Sequence, residues 1–211
     1  MNSKQITKTF QFNGLTLAIH PEVYDPAEDT FQLLESLEVQ RKTTVLELGT
    51  GCGIIALDCA RHGAHVICTD INPHAITLTR YNIRMNSKQL TGTIDVRKGD
   101  LFSPIRKRET FDVVIFNPPY LPTRPNEQID GWFDRAVNGG ADGLKVTKRF
   151  LEHVSPYLTT HGVAYVIVSS LSDQEKFSQY LADNNLHATV ASQRRYDDEV
   201  LTVYRLVKQT R

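Results

Sequence analysis

The residues with the most chemistry to offer are Asn117-Pro118-Pro119-Tyr120, which follow the apolar run Phe111-Asp112-Val113-Val114-Ile115-Phe116. The run reads as a buried strand. Each proline lacks an N–H donor and restricts the residue before it, so the chain must leave the sheet here. In an open α/β sheet the ligand crevice lies beyond the carboxyl ends of the strands, which is where this tetrapeptide falls. Asn117 offers a carbonyl oxygen from its side chain, and Pro118 offers another from its backbone. Two fixed acceptors suit a planar NH2 group. Such a nitrogen is a weak nucleophile because its lone pair is delocalised. Acceptors aimed at both N–H bonds orient the lone pair and stabilise the positive charge that grows on nitrogen as a methyl group arrives. No strong base is needed first, since the proton becomes acidic only after the methyl has moved. Taken alone, the tetrapeptide is equally well a proline-rich loop.

A second constellation lies upstream. Residues 44–48 read as a strand, followed by the turn Gly49-Thr50-Gly51-Cys52-Gly53, a helical run over 54–61 and a strand over 65–69 that ends in Asp70. Glycines let a ligand approach the backbone, and an acid about 20 residues further on can accept both ribose hydroxyls. The spacing is G-x-G-x-G, with Ile54 where the dinucleotide fingerprint prefers a small residue. Glu47, just before the turn, disfavours a pyrophosphate and suits the ammonium of an amino-acid ligand. These electrostatics favour S-adenosylmethionine over NAD. Asp100, after the next strand at 93–97, is placed to accept from an adenine amino group, or else serves only as a turn residue.

Further upstream, Tyr24-Asp25-Pro26-Ala27-Glu28-Asp29-Thr30 signals a helix start, with Asp25 as N-cap, Pro26 at the first helical position and Glu28 at the third. That leaves Asp29 and Thr30 unexplained, two polar groups near a helix mouth with a possible ligand role.

The remaining elements position these groups. Residues 8–19 alternate around Asn13-Gly14 and read as a short hairpin. Residues 75–85 are helical. The stretch 121–143 holds Pro122, Pro125, Trp132 and several glycines; a connection of this length is uncommon in a compact domain unless it is functional, so it reads as a substrate-side lid. A helix over 144–158 is expected to stop at His161-Gly162, followed by a strand over 163–168 and a helix over 172–183. The segments 188–192 and 200–207 then form an antiparallel hairpin around the polar 193–199. Strands alternating with helices make a doubly wound α/β fold, taken as a single domain over 1–211.

Composition narrows the class. The chain is 40% hydrophobic and 23% charged, in the range of ordinary soluble proteins, and its net charge of +0 gives no support for gripping nucleic-acid phosphates. No apolar run approaches the ~18 residues of a membrane span, and no targeting signal is present, so the cytoplasm is expected. Cys52, Cys59 and Cys68 form no Cys-x-x-Cys pair and read as reduced core thiols. No metal site is expected from the histidine spacing.

The motif Glu47-Leu48-Gly49-Thr50-Gly51-Cys52-Gly53, Asp70 and Asn117-Pro118-Pro119-Tyr120 resemble those of class I S-adenosylmethionine methyltransferases acting on amino groups. The segments 24–30 and Gly139-Gly140-Ala141-Asp142-Gly143 resemble, within that class, the short archaeal and eukaryotic branch of HemK-like glutamine methyltransferases of release factors. The resemblance implies a Rossmann-like, mostly parallel seven-stranded sheet of order 3-2-1-4-5-7-6 with a C-terminal antiparallel hairpin. It also implies methylation of the glutamine in the Gly-Gly-Gln loop of a class I peptide chain release factor, and a small zinc-binding activator subunit as heterodimer partner, received by the apolar edge strand at 94–97. The expected catalytic set is Asn117, Pro118 and Tyr120, with Pro119 joining them against the substrate. The expected cofactor set is Tyr24, Thr30, Glu47, Gly49, Gly51, Gly53, Asp70, Ile71, Asp100, Leu101 and Asn117. The same tetrapeptide serves enzymes that methylate adenine or guanine amines of RNA or DNA, which is the alternative reading, and a methyltransferase fold can also act as a scaffold without catalysis. The stretch 121–143 carries Glu127, Asp130, Asp134 and Asp142 against Arg124 and Arg135, a balance that favours a protein substrate over a phosphate backbone. The stretch 125–137 looks longer than in the short eukaryotic form.

Overall fold

The computed structural model of the chain describes residues 6–124 and 131–209. The alternating segment around Asn13-Gly14 forms the expected hairpin of β1 (Lys8–Phe12) and β2 (Leu15–Ile19). Among the described residues the outer edge of β2 has no strand neighbour. Its backbone groups are instead met by amides of helix α3 (Pro73–Met85) and of its C-cap. Asn86 exchanges two hydrogen bonds with the backbone of Thr16 at 2.8 and 2.7 Å, and Asn82 does the same with Ala18 at 2.9 and 3.1 Å. Two asparagines one helical turn apart match alternate residues of a strand, so α3 acts as a substitute ladder and no buried β2 group is orphaned.

After helix α1 (Glu28–Glu35), strand β3 (Thr44–Leu48), helix α2 (Ile54–Arg61), β4 (His65–Asp70), α3, β5 (Thr93–Lys98) and β6 (Phe111–Phe116) alternate in the anticipated order. The short helix α4 (Trp132–Val137), α5 (Lys145–Val154), β7 (Leu158–Ser169), α6 (Gln174–Asp183), β8 (Leu186–Tyr196) and β9 (Glu199–Lys208) follow. The large sheet has the order β5-β4-β3-β6-β7-β9-β8. Counted from β3, that is 3-2-1-4-5-7-6, as the resemblance implies. β5, β4, β3, β6 and β7 run parallel, and β9 and β8 close the sheet antiparallel.

The central strands are mostly apolar because both faces are covered. Val45, Val113, Ile115 and Tyr165 pack with the hairpin, α2 and α3 on one side. Leu46, Leu48, Val114 and Phe116 pack with α5 and α6 on the other. β3 pairs with β4 on one edge and β6 on the other, so the strand order reverses there and a crevice opens at the carboxyl ends of those strands.

Three sequence expectations are corrected. Asp25 does not cap α1: it pairs with Lys8 at 2.5 Å, and the N-cap is Ala27, without a side-chain bond. The helix after residue 144 ends at Val154, where Ser155–Tyr157 form a 3-10 turn containing Pro156, and β7 already begins at Leu158. His161-Gly162 marks a register shift within that strand rather than a helix stop, Leu158 pairing with Phe111 and Val163 with Val113. The polar segment 193–199 is mostly strand, leaving only Asp197-Asp198 as the turn. β8 is an edge strand whose side chains beyond residue 192 are almost all exposed, so no apolar alternation marks that part of it.

Candidate active site

A cavity of about 720 Å³ occupies the crevice, bordered by the ends of β3, β4 and β6, the start of α1, and α4. That volume is in the range of small-molecule sites. Of the residues singled out in the sequence, Tyr24, Thr30, Glu47, Gly49, Gly51, Asp70, Ile71, Asp100, Leu101, Asn117, Pro118, Pro119 and Tyr120 all line it. Gly53 does not. Its φ of +87° favours glycine, and a Cβ there would lie 2.8 Å from Thr79 Cγ2, so its glycine is explained by the packing of α2 on α3.

At one end of the cavity, Gly49 and Gly51 hold positive φ and turn the chain sharply out of β3. Asp70, at the end of β4, accepts from the backbone N–H of Gly51 at 2.9 Å and of Asn72 at 2.8 Å. One bond falls on each carboxylate oxygen, and each oxygen keeps a lone pair for further donors. Burial raises the Asp70 pKa against these backbone bonds. Glu47 is 2% exposed, and its carboxyl accepts from the Thr50 hydroxyl at 2.7 Å. Burial, with Asp70 nearby, pushes its pKa up to about 8 despite the bonds it receives from Thr50 and the Ala56 backbone. A buried acid of this kind is ionised most easily when a ligand brings a cation beside it. Asp100 meets Arg149 through a two-pronged pair at 2.7 and 3.4 Å, a partner the sequence reading did not assign to it. Leu101, at φ +47°, follows directly. The thiols of Cys52, Cys59 and Cys68 are buried and pushed up by that burial, Cys52 to about 12, which fits core packing.

At the other end lies Asp29, which the sequence singles out without indicating its partners. It is 3% exposed and lies in the first turn of α1. Its Oδ2 accepts from Asn117 Nδ2 at 3.0 Å and from the Tyr120 hydroxyl at 3.3 Å. Its Oδ1 accepts from the Thr30 backbone N–H at 2.6 Å, the Thr30 hydroxyl at 3.1 Å and the Tyr24 hydroxyl at 3.4 Å. Burial, then the charge of Asp29, raises the pKa of both Tyr24 and Tyr120, so both remain phenols. With Nδ2 committed to Asp29, Asn117 Oδ1 is left buried with no hydrogen-bond partner among the described residues. A buried acceptor without a donor is rare, and on a residue that lines the cavity it points to a ligand that supplies one.

Leu121 bridges to Asn138, and Gly139 N–H donates to the Leu121 carbonyl at 2.8 Å, so the described parts on either side, 121–124 and 131–143, meet beside Tyr120. The Tyr120 carbonyl accepts from the Ser172 hydroxyl at 3.1 Å. Trp132, under the Arg135 guanidinium, and Phe133, beside Tyr24, form an aromatic rim. Residues 125–130, and with them Glu127 and Asp130, lie outside the described residues. Among the described residues no group of three or more His, Cys, Asp or Glu side chains is placed to hold a metal ion, and no helix is long and apolar enough to cross a membrane.

Residues 22–130 match the family described as methyltransferase small domain. A Methanocaldococcus jannaschii protein carrying the provisional name protein N5-glutamine methyltransferase is 39% identical over 167 residues, covering 79% of this chain and 82% of that one. Methyltransferase HEMK2 of Homo sapiens is 33% identical over 196 residues, covering 89% of this chain and 90% of the relative. Among solved structures, the Mtq2-Trm112 complex of E. cuniculi, described as responsible for methylation of the eRF1 translation termination factor, superposes with a TM-score of 0.69 at 26% identity, covering 89% of this chain and 99% of that one. With the fold, the family match and relatives aligned over most of its length in agreement, the chain belongs to the HemK-like protein-glutamine methyltransferases.

Proposed function

We propose that this protein transfers a methyl group from S-adenosylmethionine to the side-chain amide nitrogen of a glutamine presented on a protein loop, the Gly-Gly-Gln loop of a class I peptide chain release factor. The observation that carries this reading is the unpartnered Oδ1 of Asn117, a residue that lines the cavity.

The residues present fit the cofactor. Asp70 retains acceptor capacity for two ribose hydroxyls, and Glu47 is a buried acid suited to an ammonium. Asp100 and Leu101 border the part of the cavity where an adenine would lie, and Gly49 and Gly51 leave the backbone open to close approach. S-adenosylmethionine, when bound, supplies an electrophilic methyl group. Asn117 Oδ1 and the Pro118 carbonyl take the two N–H bonds of the entering amide, orient its lone pair and stabilise the positive charge that develops during transfer. Pro119 and Tyr120 make that arrangement stiff, and Tyr120 is held at both its hydroxyl and its carbonyl. The geometry does not require a base before transfer.

A partner subunit is the second part of the reading. β5 is a sheet edge paired only with β4, and its sequence carries Ile94 and Val96. We infer that a small zinc-binding subunit adds at this edge, on the likeness to the Mtq2-Trm112 complex. Co-expression with such a subunit is expected to raise solubility and activity. A chain fully active alone that gains nothing would remove the subunit while leaving the chemistry.

The substrate is tested by incubating the enzyme, with its subunit, with labelled S-adenosylmethionine and an archaeal-type release factor, its Gln→Ala loop variant, or total RNA and DNA. Label is expected only in the release factor that keeps the glutamine. Label in nucleic acid, or in the variant without the glutamine, would overturn the assignment.

A further inference from the structure

We propose that Asp29 is the positioning residue of the active site. Its carboxylate selects which end of the Asn117 amide meets the substrate. This deepens the amide-methylation reading and rests on it.

An asparagine side chain is nearly symmetric in shape, yet its ends do opposite things: the oxygen accepts and the nitrogen donates. Turned over, Asn117 would present a donor to the substrate N–H groups and repel them. Pro118 and Pro119 restrict the backbone but leave this choice open. It falls to whatever the far end of the amide touches, and that is Asp29 Oδ2 at 3.0 Å. An ionised carboxylate only accepts, so Nδ2 must face it and Oδ1 must face away. Oδ1 is indeed the atom left without a partner.

Asp29 is itself held from every side. The Thr30 backbone N–H at 2.6 Å cannot rotate away, and the hydroxyls of Thr30, Tyr24 and Tyr120 add three further donors. With Asn117 they occupy both oxygens, and at 3% exposure no water competes freely for the carboxylate. Full occupancy makes the group a fixed reference for the amide rather than a mobile surface acid. α1 thus contributes to catalysis through a residue that does not touch the reacting atoms.

This geometry makes Asp29→Asn an informative change of nearly constant shape. The Thr30 N–H still demands an acceptor at the Oδ1 position, which forces the new NH2 group to the Oδ2 position, facing Asn117 Nδ2. Two donors would meet there, and the Asn117 amide turns over to relieve the clash. The cavity then loses its acceptor and gains a donor, while its volume and the Asp70 end stay as they were.

The experiment is a double-mutant cycle in the enzyme with its partner subunit, following single-turnover methyl transfer to the release factor for the parent, Asp29→Asn, Asn117→Ala and the combined variant, alongside S-adenosylmethionine affinity by calorimetry. Asp29→Asn is expected to slow transfer roughly 30-fold or more with affinity changed less than about threefold. In the Asn117→Ala background the same change is expected to slow transfer less than about threefold, because the amide it acts through is gone. A purely structural role for Asp29 predicts losses that multiply and a weaker cofactor site. Transfer by Asp29→Asn within about threefold of the parent, or losses that multiply, overturns the proposal. Parent enzyme that leaves glutamine unmodified overturns the underlying reading instead. A measurement on the parent guards against a variant that does not fold: with nitrogen-15 asparagine, the Asn117 side-chain NH2 is expected to exchange with solvent far more slowly than exposed asparagines do. Exchange at the exposed rate would also overturn the proposal.

Discussion

At the Asn117 end of the cavity one carboxylate, Asp29, carries five donors, and the neighbouring amide is left with a single unpaired oxygen. At the Asp70 end the opposite holds: glycines with positive φ shape the backbone, and the carboxylates of Asp70 and Glu47 keep capacity for further donors. An end built for the transition state fixes its acceptor in advance, so little reorganisation remains when charge develops. An end built for holding a cofactor presents acceptors that are satisfied only when the ligand arrives. Disrupting the first is therefore expected to affect rate, and disrupting the second to affect affinity.

The largest effect is expected at the first end. Asn117→Ala should lower single-turnover transfer by about two orders of magnitude or more, leaving cofactor binding near that of the parent. Unchanged turnover would erase the distinction between the two ends. Next comes Asp70→Ala. It should weaken S-adenosylmethionine by roughly 1.5–3 kcal/mol, tenfold or more in dissociation constant, with transfer at saturating cofactor little altered. Calorimetry and single-turnover rates on the same samples would show whether the two losses separate in this way.

Glu47 gives a pH test of the cofactor end. In the folded chain its pKa is raised to about 8, so below that pH it is largely protonated; its contribution to stability is fully present below the ordinary carboxylate range, falls as pH rises from there through 8, and is gone above it. An ammonium beside it favours the carboxylate, so binding must release a proton. Cofactor affinity is expected to rise with pH, by up to about tenfold per unit between about 6 and 8, and then to level off. Binding heats measured in buffers of different ionisation enthalpy report the proton directly, and Glu47→Gln should abolish both effects. The smallest change concerns Gly53, which lies outside the cavity. Gly53→Ala should lower unfolding stability by about 1–2 kcal/mol from its φ alone, without weakening the cofactor at temperatures where the variant is folded. Weakened binding in a folded variant would return Gly53 to the cofactor set.

The Asp70 end of the cavity was legible in the sequence for a physical reason. A glycine turn, the strand before it and the acid ending the next strand are close in sequence, and buried parallel strands announce themselves as apolar runs. Asn117 was legible because prolines after such a run leave few alternatives. Asp29 was noticed only as a polar residue without a task, since its decisive partners lie 88 and 91 residues away. No local pattern reports a contact of that separation. Asp25 misled for a related reason: its sequence suits a cap, but Lys8 of the hairpin claims its carboxylate. β8 was shortened in the sequence reading because an exposed edge strand has no buried face to impose alternation.

The central assignment, methyl transfer to a glutamine amide nitrogen, is tested most directly by locating the methyl group. Release factor treated with the enzyme and S-adenosylmethionine would be digested, and the modified residue identified by fragmentation mass spectrometry. The predicted result is one methyl group on the side-chain nitrogen of the glutamine in the Gly-Gly-Gln loop, absent when Asn117→Ala replaces the parent under the same conditions. A methyl group on a lysine, an arginine or a backbone atom, or one that appears undiminished with Asn117→Ala, would contradict it.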